Sequence, residues 1–415
     1  MKLAKNTEVR GRVLEINHRS GMKAENQRHI LNLINKHPSF RAALATELGL
    51  TQAAVSLLTE ELIQDEIIGP TEIGAAGPMV GRRPEILDIR ADWGAIVGIS
   101  IDRSQVTIGI VDLKGNAITE NTLLPVKEDY EDTIRQIGSA VKKMLAQMKG
   151  QIHFVIGAGV AIPGPMDLKS GSILEPPGFP ASWYHLPIAV LLEKQLGFPV
   201  YAEHNSRALA QAEICLGAGE RYSHFMILNV NAGIGSGLVL NGKVYTGAHG
   251  IGCEIGHMSV ERGGRICFCG RRGCLEQYAS AAAVLHEVNR ICPDIHTWTE
   301  LIDRAYNGNQ ICCDFLEQAA SYFGEVIRNV MSLCDLEAVF FTGQIAYRGE
   351  LILKLIREKA QKNAVAQMGK LPEIALSSIP GNPYLVSSAS ILIYKLYNQP
   401  LFFYEKNIER KKGKE

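Results

Sequence analysis

The 415-residue sequence has no excess of charge and no long apolar run, and each absence excludes a class of protein. Its 43 basic and 43 acidic side chains cancel, so the molecule is not a basic nucleic-acid coat as a whole. Its longest nearly apolar stretch, residues 154–165, is broken by glycines and prolines and falls far short of the roughly 20 residues that a membrane span requires. The amino terminus carries charges where a secretory signal has its apolar core. We therefore expect a folded cytoplasmic protein with no membrane role.

The cysteines favour a metal site over a disulfide framework. There are nine, an odd number, and three of them fall within residues 267–274. With one nearby histidine they form a set of four candidate ligands: His257, Cys267, Cys269 and Cys274. Four such side chains within 18 residues favour a closed structural zinc site, because a His/Cys3 set leaves no position for a reacting water. The alternative is a group of buried free thiols.

Composition divides the chain into two parts joined near residue 90. Residues 1–90 are rich in helix formers and contain a Gly/Pro/Arg loop, so we expect a small separate domain there, with a wing at 73–86. From residue 91 to 415, glycine-rich apolar runs alternate with helical patterns, which is typical of an α/β protein. The sequence therefore predicts one small domain followed by one large domain.

The first domain has the pattern of a winged helix-turn-helix. An apolar helical stripe near residues 30–34 is followed by a second helix at 41–48. Gly49 permits a left-handed turn, and Thr51 can cap a third helix whose apolar residues repeat at helical spacing. Strands at 67–71 and 85–89 flank the loop, which completes the expected winged fold.

Five side chains of this domain are candidates for contact with DNA: Thr51, Gln52, Ser56, Arg82 and Arg83. Glutamine can read adenine, and arginines on a wing suit phosphate or minor-groove contact. Residues 1–41 contain nine basic and three acidic side chains, a net +6 that also favours DNA binding. The third helix has no Lys or Arg near its start, so we expect modest affinity from one subunit. The alternative is a three-helix bundle that serves only as a dimerisation cap.

The segment GAHGIGCEIGHMSVERGGRICFCGRRGCLEQYAS (247–280) resembles the ROK family of sugar kinases and sugar-responsive repressors. The resemblance continues in residues 157–167, 231–247 and 342–350. The amino-terminal domain resembles that of the repressor branch, which includes xylose, N-acetylglucosamine and glucose-utilisation regulators. The resemblance implies an α/β fold in which a winged helix-turn-helix precedes a two-lobed, actin-like (ribonuclease H-like) domain.

The resemblance also implies where a sugar binds, namely in a cleft between the lobes. Lobe one would comprise about 91–205 plus a C-terminal helix at 381–405, and lobe two about 206–380. The implied ligand-binding residues are His204, Asn205, Glu254, His257 and Glu276. On residue type alone, Glu254 and Glu276 would be ordinary surface carboxylates.

Two departures from the family's kinases predict that the domain is not an enzyme. Asn205 stands where those kinases have a catalytic aspartate, and an amide cannot accept a proton; loss of one positioned base typically costs roughly 10²–10⁴ in rate. The first phosphate loop, Asp-x-Gly-Gly-Thr-Lys in the kinases, is replaced by residues 100–105, which lack both glycines. We therefore expect no catalytic residues and a domain that binds a sugar without phosphorylating it.

Together these features predict a repressor of carbohydrate-utilisation genes that responds to a sugar effector. A homodimer, or a dimer of dimers, would place two winged helices on palindromic operator DNA. Two alternatives remain at this point. One is an ATP-dependent sugar kinase with an appended DNA-binding domain, and the other is a regulator controlled by a protein partner.

Overall fold

The computed structural model describes residues 18–71, 85–103, 105–119, 122–167, 170–176, 178–361 and 371–412. The chain forms two compact units. One unit comprises Met1–Arg90 together with Leu396–Glu415, and the other comprises Ala91–Lys395. Within the described ranges, no single helix is long and apolar enough to cross a bilayer.

The first unit contains the predicted helices and a small antiparallel sheet. In chain order its elements are α1 (His18–Lys36), β1 (Ser39–Phe40), α2 (Arg41–Leu48), α3 (Gln52–Gln64), β2 (Ile68–Pro70) and β3 (Ile86–Ile89). The strands lie in the order β1-β3-β2. The expected tight turn is confirmed, because Gly49 has a φ of 65° and the Thr51 hydroxyl accepts a hydrogen bond from the Ala54 N–H at 3.2 Å. The wing arginines, Arg82 and Arg83, lie outside the described residues.

The second unit begins with a five-stranded sheet that forms the base of the first lobe. Its elements are β4 (Ala95–Ile101), β5 (Val106–Val111), β6 (Thr122–Leu124), α4 (Tyr130–Gln147), β7 (Val155–Ile162), β8 (Met166–Asp167), β9 (Ser172–Ile173), α5 (Ile188–Leu196), β10 (Val200–His204) and α6 (Asn205–Leu216). The sheet order is β10-β7-β4-β5-β6, and β8 pairs with β9 as a separate hairpin. Strands β4, β5 and β7 are buried along nearly their whole length, so the sequence reads there as continuous apolar runs.

A second five-stranded sheet repeats this plan in the second lobe. Its elements are β11 (Phe225–Val230), β12 (Ile234–Leu240), β13 (Lys243–Val244), α7 (Glu276–Ala279), α8 (Ala281–Ile291), α9 (Trp298–Tyr306), α10 (Gln310–Cys334), β14 (Ala338–Gly343), α11 (Glu350–Gln361) and β15 (Glu373–Leu376). The order is β13-β12-β11-β14-β15. In both sheets three antiparallel strands are followed by two parallel ones.

Helix α12 (Pro383–Asn398) packs directly against the first sheet because glycines leave room for it. Gly98 and Gly159 are partners in the register of β4 and β7. A methyl group on Gly159 would overlap the backbone carbonyl of Ser388, and one on Gly98 would lie 2.8 Å from the carbonyl oxygen of Leu385. The two glycines therefore set the distance between helix and sheet.

The carboxyl terminus departs from the expected single helix at 381–405 in lobe one. The chain ends in two helices, α12 and α13 (Pro400–Lys412), and Leu396–Glu415 groups with the first unit. There, Asn407 donates to the Asp65 carboxylate at 2.6 Å, and Arg410 donates to the Asp65 carbonyl oxygen at 3.3 Å. Because Asp65 is the C-cap of α3, these donors meet the negative end of that helix dipole.

Arg410→Met should loosen the C-terminal end of α3. Arg410 is 9% exposed and pairs with Glu66 at 2.6 Å, so the change removes charge-assisted hydrogen bonds from a mostly buried guanidinium. We expect a local loss of about 1–3 kcal/mol, which raises amide exchange in residues 52–64 roughly 5- to 150-fold. Hydrogen–deuterium exchange measures this change. Lys412→Met, at an exposed position of the same helix, is the matched control, and equal exchange in both variants would contradict the role given to Arg410.

Candidate ligand site and metal cluster

Four segments of the second unit meet at one place between its two sheets. They are the start of α6, the glycine segment 233–237, the loop 248–257 and the start of α7. A methyl group on Gly235 would overlap the Ser206 hydroxyl, and one on Gly256 would overlap the Ile234 carbonyl oxygen. These close approaches bring Asn205, at the first position of α6, into the same region as the glycine segment.

Glu276 is a buried anchor of this region and not a solvated surface carboxylate. It is 7% exposed, and its Oε2 accepts a hydrogen bond from the Ile234 N–H at 2.9 Å. Gly233 makes this possible, because a methyl group there would lie 2.5 Å from that oxygen. The carboxylate therefore holds the glycine segment in place.

Glu254 lies open to solvent on the loop, yet the surrounding protein changes its acidity. Desolvation raises the pKa of this carboxyl; nearby His257 and Arg207 lower it, and Glu276 raises it further. Backbone hydrogen bonds bring the two ends of the segment between Glu254 and Glu276 together: the His257 N–H donates to the Glu254 carbonyl oxygen at 3.0 Å, and the Leu275 N–H donates to the Met258 carbonyl oxygen at 2.9 Å. The implied ligand residues Glu254, His257 and Glu276 thus share one neighbourhood.

His204 occupies a confined position at the end of β10. A methyl group on Gly164 would lie 2.5 Å from the His204 Cδ2 atom, so the imidazole packs over that glycine. Burial lowers the pKa of His204 to about 3, with a further lowering by the Arg207 charge. The imidazole is therefore neutral near pH 7, with one nitrogen as donor and one as acceptor.

An ion pair beneath the site was not predicted from the sequence. Arg207 and Glu203 have side chains that are 4% and 15% exposed and meet at 2.7 Å. Arg207 also donates to the carbonyl oxygen of Gly250 at 2.7 Å, and Glu203 accepts from the His204 N–H at 2.8 Å. The pair therefore links the loop 248–257 to the start of α6. Its only sequence signal is the i, i+4 spacing of Glu and Arg across a strand–helix junction.

The four predicted metal ligands form a compact cluster. The ligand atoms of His257, Cys267, Cys269 and Cys274 all lie within 4.8 Å of one another. The His257 Nδ1 and Cys267 Sγ atoms are 3.5 Å apart, and the Cys269 and Cys274 Sγ atoms are 3.6 Å apart. Tetrahedral zinc with ordinary bond lengths requires ligand separations of about 3.5–3.8 Å. The donor set and spacing therefore fit a tetrahedral metal ion.

The DNA-binding candidates of α3 are exposed together. Thr51, Gln52 and Ser56 are exposed at the start of the helix. Thr59, one turn further on, is buried and accepts a hydrogen bond from Arg41 Nε at 3.1 Å. The first turn of α3 thus presents three uncharged polar groups to solvent, while the far side of the helix packs inward.

Comparison with known proteins identifies the second unit. The sequence pattern of the ROK family matches residues 96–386, more than two thirds of the chain. The chain belongs to the ROK family. This ROK protein therefore has the predicted fold, a winged helix-turn-helix followed by a two-lobed, actin-like domain.

Relatives of this ROK protein include regulators and kinases. The xylose repressor of Caldicellulosiruptor bescii is 26% identical over 375 residues, which are 87% of this chain and 93% of the repressor. The glucokinase of Thermotoga maritima is 27% identical over 314 residues, which are 72% of this chain and 96% of the kinase. The crystal structure of a ROK family transcriptional regulator, a homologue of the E. coli MLC protein, matches with a TM-score of 0.77 at 24% identity, over 94% of this chain and 99% of that one.

The buried ion pair gives a test of this geometry. Arg207→Met should lower the free energy of unfolding by about 3–5 kcal/mol, because it leaves the Glu203 carboxylate buried and unpaired. Glu203→Gln combined with Arg207→Met should cost clearly less than the two single changes added together. Urea unfolding followed by tryptophan fluorescence measures all three variants. Costs that simply add would show that the two side chains do not interact.

Proposed function

We propose that this ROK protein is a cytoplasmic, sugar-responsive transcriptional repressor of carbohydrate-utilisation genes. The observation that carries the proposal is that a winged helix-turn-helix unit and a ROK domain occur in one chain. The match to the xylose repressor covers 87% of this chain, whereas the match to the glucokinase covers 72% of it. A regulator that couples the two units accounts for both parts of the molecule.

In this proposal the ROK domain binds a sugar without phosphorylating it. The ligand residues are His204, Asn205, Glu254, His257 and Glu276, whose side chains can donate to or accept from several hydroxyl groups. Asn205 begins α6 where a kinase needs a base, and its amide cannot take a proton from the attacking hydroxyl. The change from carboxylate to amide retains hydrogen bonding, so recognition survives where phosphoryl transfer does not.

The DNA-binding surface we propose consists of Thr51, Gln52 and Ser56 on α3, with Arg82 and Arg83 from the wing. The three α3 groups are exposed and carry no charge, so they suit contacts to base edges. Positive charge is concentrated instead in residues 1–41, which suit phosphate contacts. A homodimer, or a dimer of dimers, would read a palindromic operator with two such surfaces.

Operator binding tests the proposal directly. A labelled fragment of the promoter next to the protein's own gene is titrated by fluorescence anisotropy, with and without each member of a sugar panel. We expect binding that one sugar weakens. Gln52→Ala should weaken binding roughly 5- to 150-fold, since a bidentate glutamine–adenine contact contributes about 1–3 kcal/mol. Gln64→Ala, an exposed glutamine at the far end of α3, is the matched control.

Other outcomes of the same experiment would favour the rival functions. No operator binding at low salt would remove the DNA-binding function. Transfer of phosphate from ATP to any aldose by the purified protein would restore the kinase interpretation. Release of the operator by a protein from the same cells, with no response to the sugar panel, would favour a regulator controlled by a partner.

We also propose that the metal is zinc with a structural role, held by His257, Cys267, Cys269 and Cys274. Zinc would fix the segment that connects Glu254 to Glu276, and all four ligands come from the protein, which leaves no position for catalysis. Gln277 Nε2 lies 3.7 Å from the Cys267 sulfur and can donate to it as a thiolate. The cluster would therefore stabilise the ligand site from behind.

Metal analysis should find one zinc per chain in the purified protein. Cys274→Ser should lose the metal and lower the melting temperature, because the loop then lacks a closed set of ligands. Cys292→Ser, which changes a half-buried thiol outside the cluster, should retain the metal. A metal-free protein of unchanged stability would contradict the assignment.

A further inference from the structure

Arg103 extends from the first lobe towards the glycine segment of the second. It lies in the turn between β4 and β5, which is closed by a hydrogen bond from the Asp102 N–H to the Gln105 carbonyl oxygen at 2.9 Å. The Asp102 carboxylate also accepts from the Arg103 N–H at 2.7 Å. The backbone at Asp102 and Arg103 is therefore held by local hydrogen bonds.

Two glycines show where the side chain runs. A methyl group on Gly178, in the loop after Glu175, would lie 3.1 Å from the Arg103 Cδ atom and 3.3 Å from Nε. A methyl group on Gly233 would lie 3.7 Å from the Arg103 Nη2 atom. The arginine stem thus passes over Gly178, and its guanidinium faces the segment that Glu276 anchors.

The guanidinium has no protein partner among the residues that the structure describes, and it is exposed. Arg207 differs, since its guanidinium is buried and engaged by Glu203 and by the Gly250 carbonyl. Glu276 Oε2 approaches the same methyl position of Gly233, at 2.5 Å, but it already accepts a hydrogen bond from the Ile234 N–H and forms no ion pair with Arg103 among the described residues. The Arg103 hydrogens are therefore directed into the ligand region and available to a ligand.

An arginine in this position favours an anionic group. The guanidinium is planar and permanently charged, and its fork of N–H donors matches a phosphate or a carboxylate. A neutral sugar could use these donors only as ordinary hydrogen bonds. The carboxylates Glu254 and Glu276 can meanwhile accept from sugar hydroxyls at the same site.

We infer that the effector of this protein is an anionic sugar, a sugar phosphate or a sugar acid, and that Arg103 binds its charged group. The inference rests on the proposed function and narrows its ligand class. Arg103 is then the residue that distinguishes the charged sugar from its neutral parent. Glu254 and Glu276 hold the hydroxyls of either form.

Matched ligands test the inference by isothermal titration calorimetry. The panel is glucose, glucose 6-phosphate and glucuronate, together with xylose, xylose 5-phosphate and xylonate. We expect an anionic member to bind at least 10-fold more tightly than its neutral parent. Within each set, the affinities of the sugar phosphate and the sugar acid show which anionic group the site binds. Arg103→Gln should abolish that preference and leave the affinity for the neutral sugar nearly unchanged. Arg221→Gln, an exposed arginine that changes the net charge equally, should retain the preference.

Three results would overturn the inference. They are a neutral sugar that binds as tightly as its charged forms, a preference that persists in Arg103→Gln, and the absence of binding by any anionic member. Operator titration with the same ligands separates this failure from that of the proposed function. If a neutral sugar alone releases the operator, the repressor remains and only the anionic ligand class is wrong.

Discussion

The hydrogen bond from the Ile234 N–H to the Glu276 carboxylate is the contact on which the ligand site depends. It joins the glycine segment at the start of β12 to the start of α7, two residues after Cys274, one of the four proposed metal ligands. Glu276 is buried, and the absence of a side chain at Gly233 leaves room for its carboxylate. The position of the His/Cys3 cluster is therefore linked, through Glu276, to the glycine segment that packs against α6.

A buried ion pair lies close to this contact, and it leaves the polar side chains of the site available for hydrogen bonds to a ligand. Arg207 neutralises Glu203 in the buried layer and holds the loop at Gly250. It also helps to keep His204 neutral, so the imidazole offers both a donor and an acceptor near pH 7. A site of neutral amide and imidazole beside two carboxylates suits recognition of hydroxyl groups. In the proposed repressor the Asn205 amide cannot take up a proton, so the sugar is recognised without phosphoryl transfer.

Much of the fold could be predicted because it depends on local rules. Gly49 and Thr51 specify a turn and a cap from their own chemistry, and both act as expected. The His/Cys3 cluster could also be predicted from the sequence, because its four residues lie within 18 positions and few arrangements of so short a segment are possible.

Features that join distant parts of the chain could not be predicted in the same way. The sequence of helix α13 does not show that Arg410 pairs with Glu66 in the first unit. The direction of Arg103 depends on Gly178 and Gly233, which are far away in sequence and small for a reason visible only in three dimensions. Such contacts depend on tertiary packing, and the helix and strand periodicities of a single sequence do not reveal them.

The central claim is that one ligand site and one DNA-binding unit are energetically coupled. Thermodynamic linkage requires that the factor by which the effector weakens operator binding equals the factor by which the operator weakens effector binding. Calorimetric titration of the effector into the free protein and into the protein–operator complex measures this directly. The proposed repressor predicts weaker binding to the complex, by the same factor that anisotropy gives for operator release. Identical effector affinity with and without operator would contradict the account.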